Sequence, residues 1–348
     1  MRLRVFLLPL CLLLGTLYAT DVDYKFAVLS DLHVGENFTK YDSLDLENYS
    51  TENLRGAVFA INERIASDNI SFVIITGDIT SSAQPLEWIK ARSLLDELKI
   101  PYFPVMGNHD VWTYTYNNMQ TVKPWGDQMF AATFSDILAG HNIEFYHPVH
   151  VYNPECDCES TFQNYVFRRD GLVFVALDWS TRRAAIKGWP GSLPNGELQS
   201  MPNGTFVWLK ETLQNLADDP SVEQIVFLQH QGYRPPPYVP ISGIITFSEE
   251  HKLALRALFK GAMSITKYFG VICGHIHRWY SGTAFGFDVL TGEPGLSEWD
   301  SFAQYETDAC KGQWDNMAIN SSFSLMSVAN SRITNVERCN GSPLPPSF

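Results

Sequence analysis

The sequence predicts a layered α/β domain, and three observations predict it. Short apolar runs of strand length recur along the chain, and stretches of helical periodicity lie between them. The composition suits a single large folded unit: 348 residues, 45% hydrophobic and 18% charged. No long charge run, low-complexity tract or internal repeat interrupts it.

In chain order, Lys25 to Ser30, Phe72 to Thr76, Tyr102 to Met106, Leu172 to Leu177, Ile225 to Gln229 and Gly270 to Cys273 read as buried strands. Leu54, Val58, Ile61 and Ile65 recur at helical spacing between the first two, with Thr51 as the expected cap. Trp88, Ala91, Leu95 and Leu98 predict a second helix, Phe206, Leu209, Leu213 and Leu216 a third, and residues 248–262 a fourth. Residues 180–204 carry several Gly- and Pro-containing turns and are expected to form a long surface loop. From about 279 the chain is richer in Gly, Ser and aromatic residues and reads as strands and loops that complete a second sheet.

The chemistry lies in what ends the apolar runs. The first ends in Asp31-Leu32-His33, the second in Gly77-Asp78, the third in Gly107-Asn108-His109-Asp110, the fifth in His230 and the sixth in Gly274-His275-Ile276-His277. In an open α/β sheet, functional groups gather beyond the carboxyl ends of the strands. Asp, Asn and His are ligands that Zn, Fe and Mn accept. On extended backbone, Asp-x-His and His-x-His would turn both side chains to one face. Two ions about 4 Å apart can clamp a phosphate and generate a nucleophile from water. A lone Asp-x-His means nothing; these blocks, in order, each closing an apolar run, are specific.

These blocks resemble the signature of the calcineurin-like metallophosphoesterases across residues 25–277. The resemblance implies the metallophosphatase-type layered sandwich of two mixed β-sheets flanked by helices. It implies a cofactor of two divalent or trivalent metal ions (Zn, Fe or Mn). Asp31, His33, Asp78 and His277 would hold the first; Asp78, Asn108, His230 and His275 would hold the second, with Asp78 bridging. Metal-bound hydroxide would attack phosphorus, His109 would stabilise the transition state or protonate the leaving oxygen, and Asp110 would orient His109. The first block argues against the purple acid phosphatase branch, which has Gly where His33 stands and a Tyr where Ser81 stands. The pattern looks more like secreted or bacterial-type phosphodiesterases and acid-sphingomyelinase-like relatives. The expected domain limits are 20–280 for the catalytic domain and 281–348 for strands and loops that complete it.

Other residues have plainer readings. His141, His147, His150 and His251 are expected at the surface, Trp179 in the core, and Asp178 matches no motif of the family. Tyr233, Tyr238 and Pro235 to Pro237 fit a pocket rim or a surface turn equally well, and Arg278 either attracts anions or faces solvent.

Arg2 and Arg4 followed by the apolar run Val5 to Gly15 read as a secretory leader, residues 1–19, too short to span a bilayer. Six Asn-x-Ser/Thr sequons, at Asn37, Asn48, Asn69, Asn203, Asn320 and Asn340, agree with that route as glycosylation sites. The expected location is secreted or lumenal, with no stable membrane anchor. Five cysteines remain after the leader; Cys273 is expected as a buried thiol, and the favoured pairings are Cys310–Cys339 and Cys156–Cys158. The formal charge of −13 argues against a nucleic acid polymer as partner but not against a small phosphate ester. A phosphodiesterase is the leading expectation; a phosphomonoesterase and a catalytically silent glycoprotein binding module are the alternatives. Substrate identity, choice of metal and oligomeric state are not fixed by the sequence.

Overall fold

The computed structural model describes residues 23–38, 46–114, 126–140, 143–145, 149–153, 157–182, 194–233, 246–262, 269–277, 279–283, 302–307, 309–311 and 322–341. The leader, Cys156, Tyr238, Asn320, His141, His147 and Arg278 therefore lie outside the described residues.

Two mixed sheets form the centre. The first contains β1 (Tyr24–Leu29), β2 (Ile70–Thr76), β3 (Tyr102–Val105), β12 (Ser322–Ala329) and β13 (Arg332–Asn340), in the order β13-β12-β1-β2-β3. The second contains β6 (Tyr165–Arg169), β7 (Leu172–Ala176), β8 (Gln224–Leu228), β9 (Phe269–Cys273), β10 (Tyr280–Thr283) and β11 (Phe302–Glu306), in the order β10-β11-β9-β8-β7-β6. β4 (Val149–Asn153) and β5 (Cys158–Phe162) pair separately. The parallel pairs are β1 with β2 and β2 with β3 in the first sheet, and β7 with β8, β8 with β9 and β9 with β11 in the second; β12 runs antiparallel to β1. Every strand expected from an apolar run is present. The C-terminal strands complete both sheets rather than one: β10 and β11 join the second, β12 and β13 the first.

The first sheet packs on the second through aromatic side chains. Phe103 stacks on Phe167 at 3.9 Å and Phe167 on Phe174 at 4.7 Å, while Phe72 meets Phe103, Phe167 and Phe174 edge-on. Such pairs each add about 0.5–1.5 kcal/mol beyond the area they bury. α1 (Tyr49–Asp68) and α2 (Pro85–Leu95) bury Leu54, Val58, Ile61, Trp88, Ala91 and Leu95 in this same core. α4 (Thr205–Ala217) and α5 (Glu249–Ala262) cover the outer face of the second sheet with Leu209, Leu213, Leu216, Leu255 and Phe259.

Five local expectations change. α1 is capped by Asn48, whose side chain accepts from the Ser50 and Thr51 amides; Thr51 sits at the third helical position and returns its hydroxyl to the Asn48 amide. An additional helix, α3 (Gly126–Gly140), buries Phe130, Phe134, Ile137 and Leu138. Cys310 and Cys339 are separate buried thiols, as is Cys273. The Cys310 amide bonds the Ser30 carbonyl at the end of β1, Cys339 lies on β13, and β12 separates those two strands. The Cys339 sulfur instead accepts from Arg64 Nη1 at 3.0 Å. Finally, the start of the expected surface loop is core: Ser180, Thr181 and Arg182 are buried. Asp178 and Asp127 flank Arg182, at 2.6 and 3.4 Å, so Asp178 is part of an internal ion cluster. Trp179 is buried as expected, its indole N–H donating to Gln229. Tyr233 is buried too, a core residue rather than a pocket rim or surface turn.

Candidate metal centre

The carboxyl ends of β1, β2 and β3 in one sheet face those of β8 and β9 in the other, and the residues that follow them converge at this seam. Asp31, His33, Asp78 and His277 form one group of converging ligand atoms, and Asp78, His230 and His275 a second, with all atoms of each group within 4.8 Å of one another. Asp78 belongs to both. Its Oδ2 lies 3.5 Å from His33 Nε2 and 3.1 Å from His230 Nε2, and His277 Nε2 lies 3.1 Å from Asp31 Oδ1. Asn108 follows Gly107 in a buried single turn; the next amide, that of His109, donates to Asp78 Oδ1 at 2.8 Å.

The backbone that delivers these side chains is not extended. Asp31, His33, Asp78, His275 and His277 all have positive φ, between 46° and 79°. The expected strand alternation therefore does not align them; each pair projects from a left-handed turn just beyond its strand. Non-glycine residues in this region cost of order 1–3 kcal/mol each and persist only where surroundings impose them. Here the surroundings are hydrogen bonds between loops: the Asp31 amide to the Gly77 carbonyl, the His33 amide to the Asp78 carbonyl, and the His275 amide to the Asp31 side chain, Oδ2, at 3.0 Å. Gly107 is required for space. A Cβ there would sit 2.1 Å from the Asp78 amide nitrogen and 2.2 Å from its carboxylate.

The donor set fits cations. Neither ring nitrogen of His33 makes a hydrogen bond although both are buried, and the same holds for Nε2 of His275. His230 Nδ1 sits 2.8 Å from the Thr76 carbonyl, an acceptor only, so it carries a proton and Nε2 is left facing Asp78. Without a cation, a proton must take its place: burial would lower the His230 pKa, but Asp78 more than offsets this and raises it to about 9. Burial alone would raise Asp31, yet His277 beside it brings it down to about 2, and Asp78 is likewise held well below the usual carboxylate range by His230. Burial, then the neighbouring His230, lowers His275 to about 3, and burial with the Lys311 charge depresses His33. Two carboxylates and four imidazoles so arranged are N and O ligands for Zn, Fe or Mn.

His109 borders the centre. Its ring lies edge-on to that of His33, with centroids 4.7 Å apart, and it is half-buried where its neighbours are buried. Its Nδ1 bonds the Ser81 carbonyl at 2.8 Å. Asp110, expected to orient this ring, does something else. It accepts from the Thr80 amide and hydroxyl with Oδ1, and from the Ile79 and Gly107 amides with Oδ2, so it fastens the turn after β3 to the loop after β2. Its oxygens are committed to those donors. Burial, reinforced by Asp78, raises its pKa to about 6. The sequence reading missed Tyr114, whose hydroxyl reaches both the Ser81 carbonyl and His109 Nδ1. No short motif announces it.

Among the remaining histidines, His150 is exposed and bonds Thr161 Oγ1, and His251 lies half-buried on α5; neither approaches the centre through any of its bonds.

The model of the calcineurin-like phosphoesterase family matches residues 24–279. No curated protein matches the sequence. Among solved structures, a dimetal phosphatase from Danio rerio is similar with a TM-score of 0.53 at 12% identity, over 92% of this chain and 100% of that one. A structure described as PhoD is similar with a TM-score of 0.50 at 12% identity, over 92% of this chain and 69% of that one. At such identity these two show the fold alone.

Proposed function

The chain belongs to the calcineurin-like phosphoesterase family, and from that premise we propose that this metal-dependent phosphoester hydrolase is a secreted phosphodiesterase with a dinuclear centre. The observation that carries the reading is the shared carboxylate. Asp78 is common to both ligand groups, so one side chain can bridge two ions. Asp31, His33 and His277 would complete the first site, and Asn108, His230 and His275 the second. Ions held there would supply Lewis-acid charge to the phosphate and a nucleophile from bound water.

The chain's own groups do the rest. The Asp110 carboxylate and the crossed backbone bonds hold the loops so that the donors converge before substrate arrives. The ring of His109, which lies beside His33, would stabilise charge on the phosphate or give a proton from Nε2 to the leaving oxygen. A diester fits the charge of the site. A monoester dianion would gain from further cationic side chains, yet Lys311, whose charge bears on His33, is neutralised by Glu36 at 2.7 Å.

The leader-like N-terminus supports secretion, and so does the exposure of Asn37, Asn203 and Asn340 as glycan acceptors.

The test is turnover of bis(p-nitrophenyl) phosphate against p-nitrophenyl phosphate by metal-loaded protein purified from culture medium, with Asp78→Asn as control. Faster diester cleavage that the variant abolishes supports the reading. Cleavage of the monoester alone makes the protein a phosphomonoesterase. Two bound ions with neither ester cleaved favours a binding module.

A further inference from the structure

Ser81 holds an unusual position near the centre: its carbonyl oxygen accepts two hydrogen bonds from groups that are not part of any strand. His109 Nδ1 lies 2.8 Å away, and the Tyr114 hydroxyl also lies 2.8 Å away. The two donors are themselves close, with the Tyr114 oxygen 3.3 Å from His109 Nδ1. A carbonyl cannot donate, so His109 must carry its proton on Nδ1, and Nε2 points away from this cluster. A flipped ring would lose the bond and put carbon against the carbonyl.

The cluster is rigidly mounted. The Ser81 amide donates to the Val34 carbonyl, just past His33. The segment carrying Tyr114 is stitched to the loop after β2 by the Tyr114 amide to the Ser82 carbonyl at 3.1 Å, Thr113 Oγ1 to the Ala83 carbonyl at 3.1 Å, and Gln84 Nε2 to the Tyr114 carbonyl at 2.5 Å. The Tyr114 side chain is fully buried. A large aromatic residue sealed behind a half-buried histidine, its one polar atom spent on the atoms that orient that histidine, has a purpose beyond packing.

We propose that Tyr114 is the positioning residue for His109, fixing its ring plane and its Nδ1–H bond to the Ser81 carbonyl so that Nε2 faces the phosphate ester. This takes the place that the sequence reading gave to Asp110, and it rests on the proposed role of His109. In that role a water oxygen bonds to phosphorus and its proton goes to solvent, the bond from phosphorus to the leaving oxygen breaks with its electron pair going to that oxygen, and the oxygen takes the Nε2 proton of the ring in its doubly protonated form. The ring is left in the neutral Nδ1–H form that the Ser81 carbonyl already selects, and Tyr114 loses no proton.

The test is a double-mutant cycle of Tyr114→Phe and His109→Ala on zinc-loaded protein, with bis(p-nitrophenyl) phosphate and diphenyl phosphate as substrates, metal content measured for each variant. Tyr114→Phe should lower kcat on diphenyl phosphate on the order of tenfold, with less effect on the better leaving group, unchanged KM and unchanged metal content. In the His109→Ala background it should have no further effect. Equal losses in both backgrounds, or loss of metal, would overturn the proposal. A second measurement is independent of turnover. ¹⁵N spectra of histidine-labelled wild-type protein should show His109 protonated on Nδ1, and a ring protonated on Nε2 alone would overturn the proposal even if Tyr114→Phe fails to fold. Wild-type protein that cleaves neither ester while His109 keeps its Nδ1 proton would count against the phosphoesterase reading and leave the positioning contact standing.

Discussion

His230, just beyond β8 in the second sheet, donates its Nδ1 proton to the carbonyl of Thr76, the last residue of β2 in the first sheet, at 2.8 Å. One hydrogen bond thus joins the sheets and turns Nε2 toward Asp78. His230→Ala should remove a ligand from one group only. Metal analysis of the purified variant should give about one ion per chain where the wild type holds about two. Loss of both ions would mean that the groups do not fill independently.

The same contact sets a pH dependence in metal-free protein. The folded His230 pKa, about 9, lies above the ordinary 6.5, so protonated His230 favours the folded state. That stability is fully present below about pH 6.5 and is lost as pH rises through about 9. The thermal midpoint of chelator-treated protein should fall across this window. Metal-loaded protein, in which an ion replaces the proton, should be flatter there. Identical profiles for the two forms would refute the account.

Gly107→Ala tests the packing under Asp78. Its Cβ would collide with the Asp78 amide and carboxylate, and both are held by neighbouring loops. The variant should lose about 1–3 kcal/mol in a denaturant titration, with weaker metal binding. Normal metal affinity would show that the turn relaxes more easily than its hydrogen bonds suggest.

Arg182 is buried between Asp127 and Asp178, and its guanidinium lies 4.6 Å from the centre of the Phe162 ring. Arg182→Ala would leave both carboxylates buried and uncompensated, which costs about 3–5 kcal/mol. Urea unfolding reads this directly. A change below about 1 kcal/mol would show that water replaces the guanidinium.

Asn48 is a sequon asparagine whose amide is already committed: Oδ1 caps α1, and Nδ2 donates to the Glu36 carbonyl at 2.8 Å. A glycan on Nδ2 would compete with that bond. Asn69 Nδ2 is likewise committed, to the Asp23 carbonyl at 2.8 Å, so peptide mapping of secreted protein should find glycans at Asn37, Asn203 and Asn340 but unmodified Asn48 and Asn69. Asn48→Ala should cost about 1 kcal/mol of stability through the lost cap.

The apolar runs and the polar residues that close them determined much of this protein without a structure. Burial on both faces demands uninterrupted Val, Ile, Leu and Phe, so β1, β2, β3, β7, β8 and β9 stand out, and their carboxyl ends name Asp31, His33, Asp78, His230, His275 and His277. α3 carried a readable signal in Phe130, Phe134, Ile137 and Leu138, spaced as one helical face. Tertiary structure alone decided how the ligands converge. Left-handed turns at five of them are paid for by bonds between loops far apart in sequence, which no local propensity encodes. It also decided what orients His109. The adjacent Asp110 was the natural choice on the chain, but in space its oxygens are taken by backbone amides, and the contact fell to Ser81 and Tyr114. Hydrogen bonds are satisfied by whichever donor and acceptor the packed fold brings within about 3 Å, and sequence neighbours have no priority in that assignment.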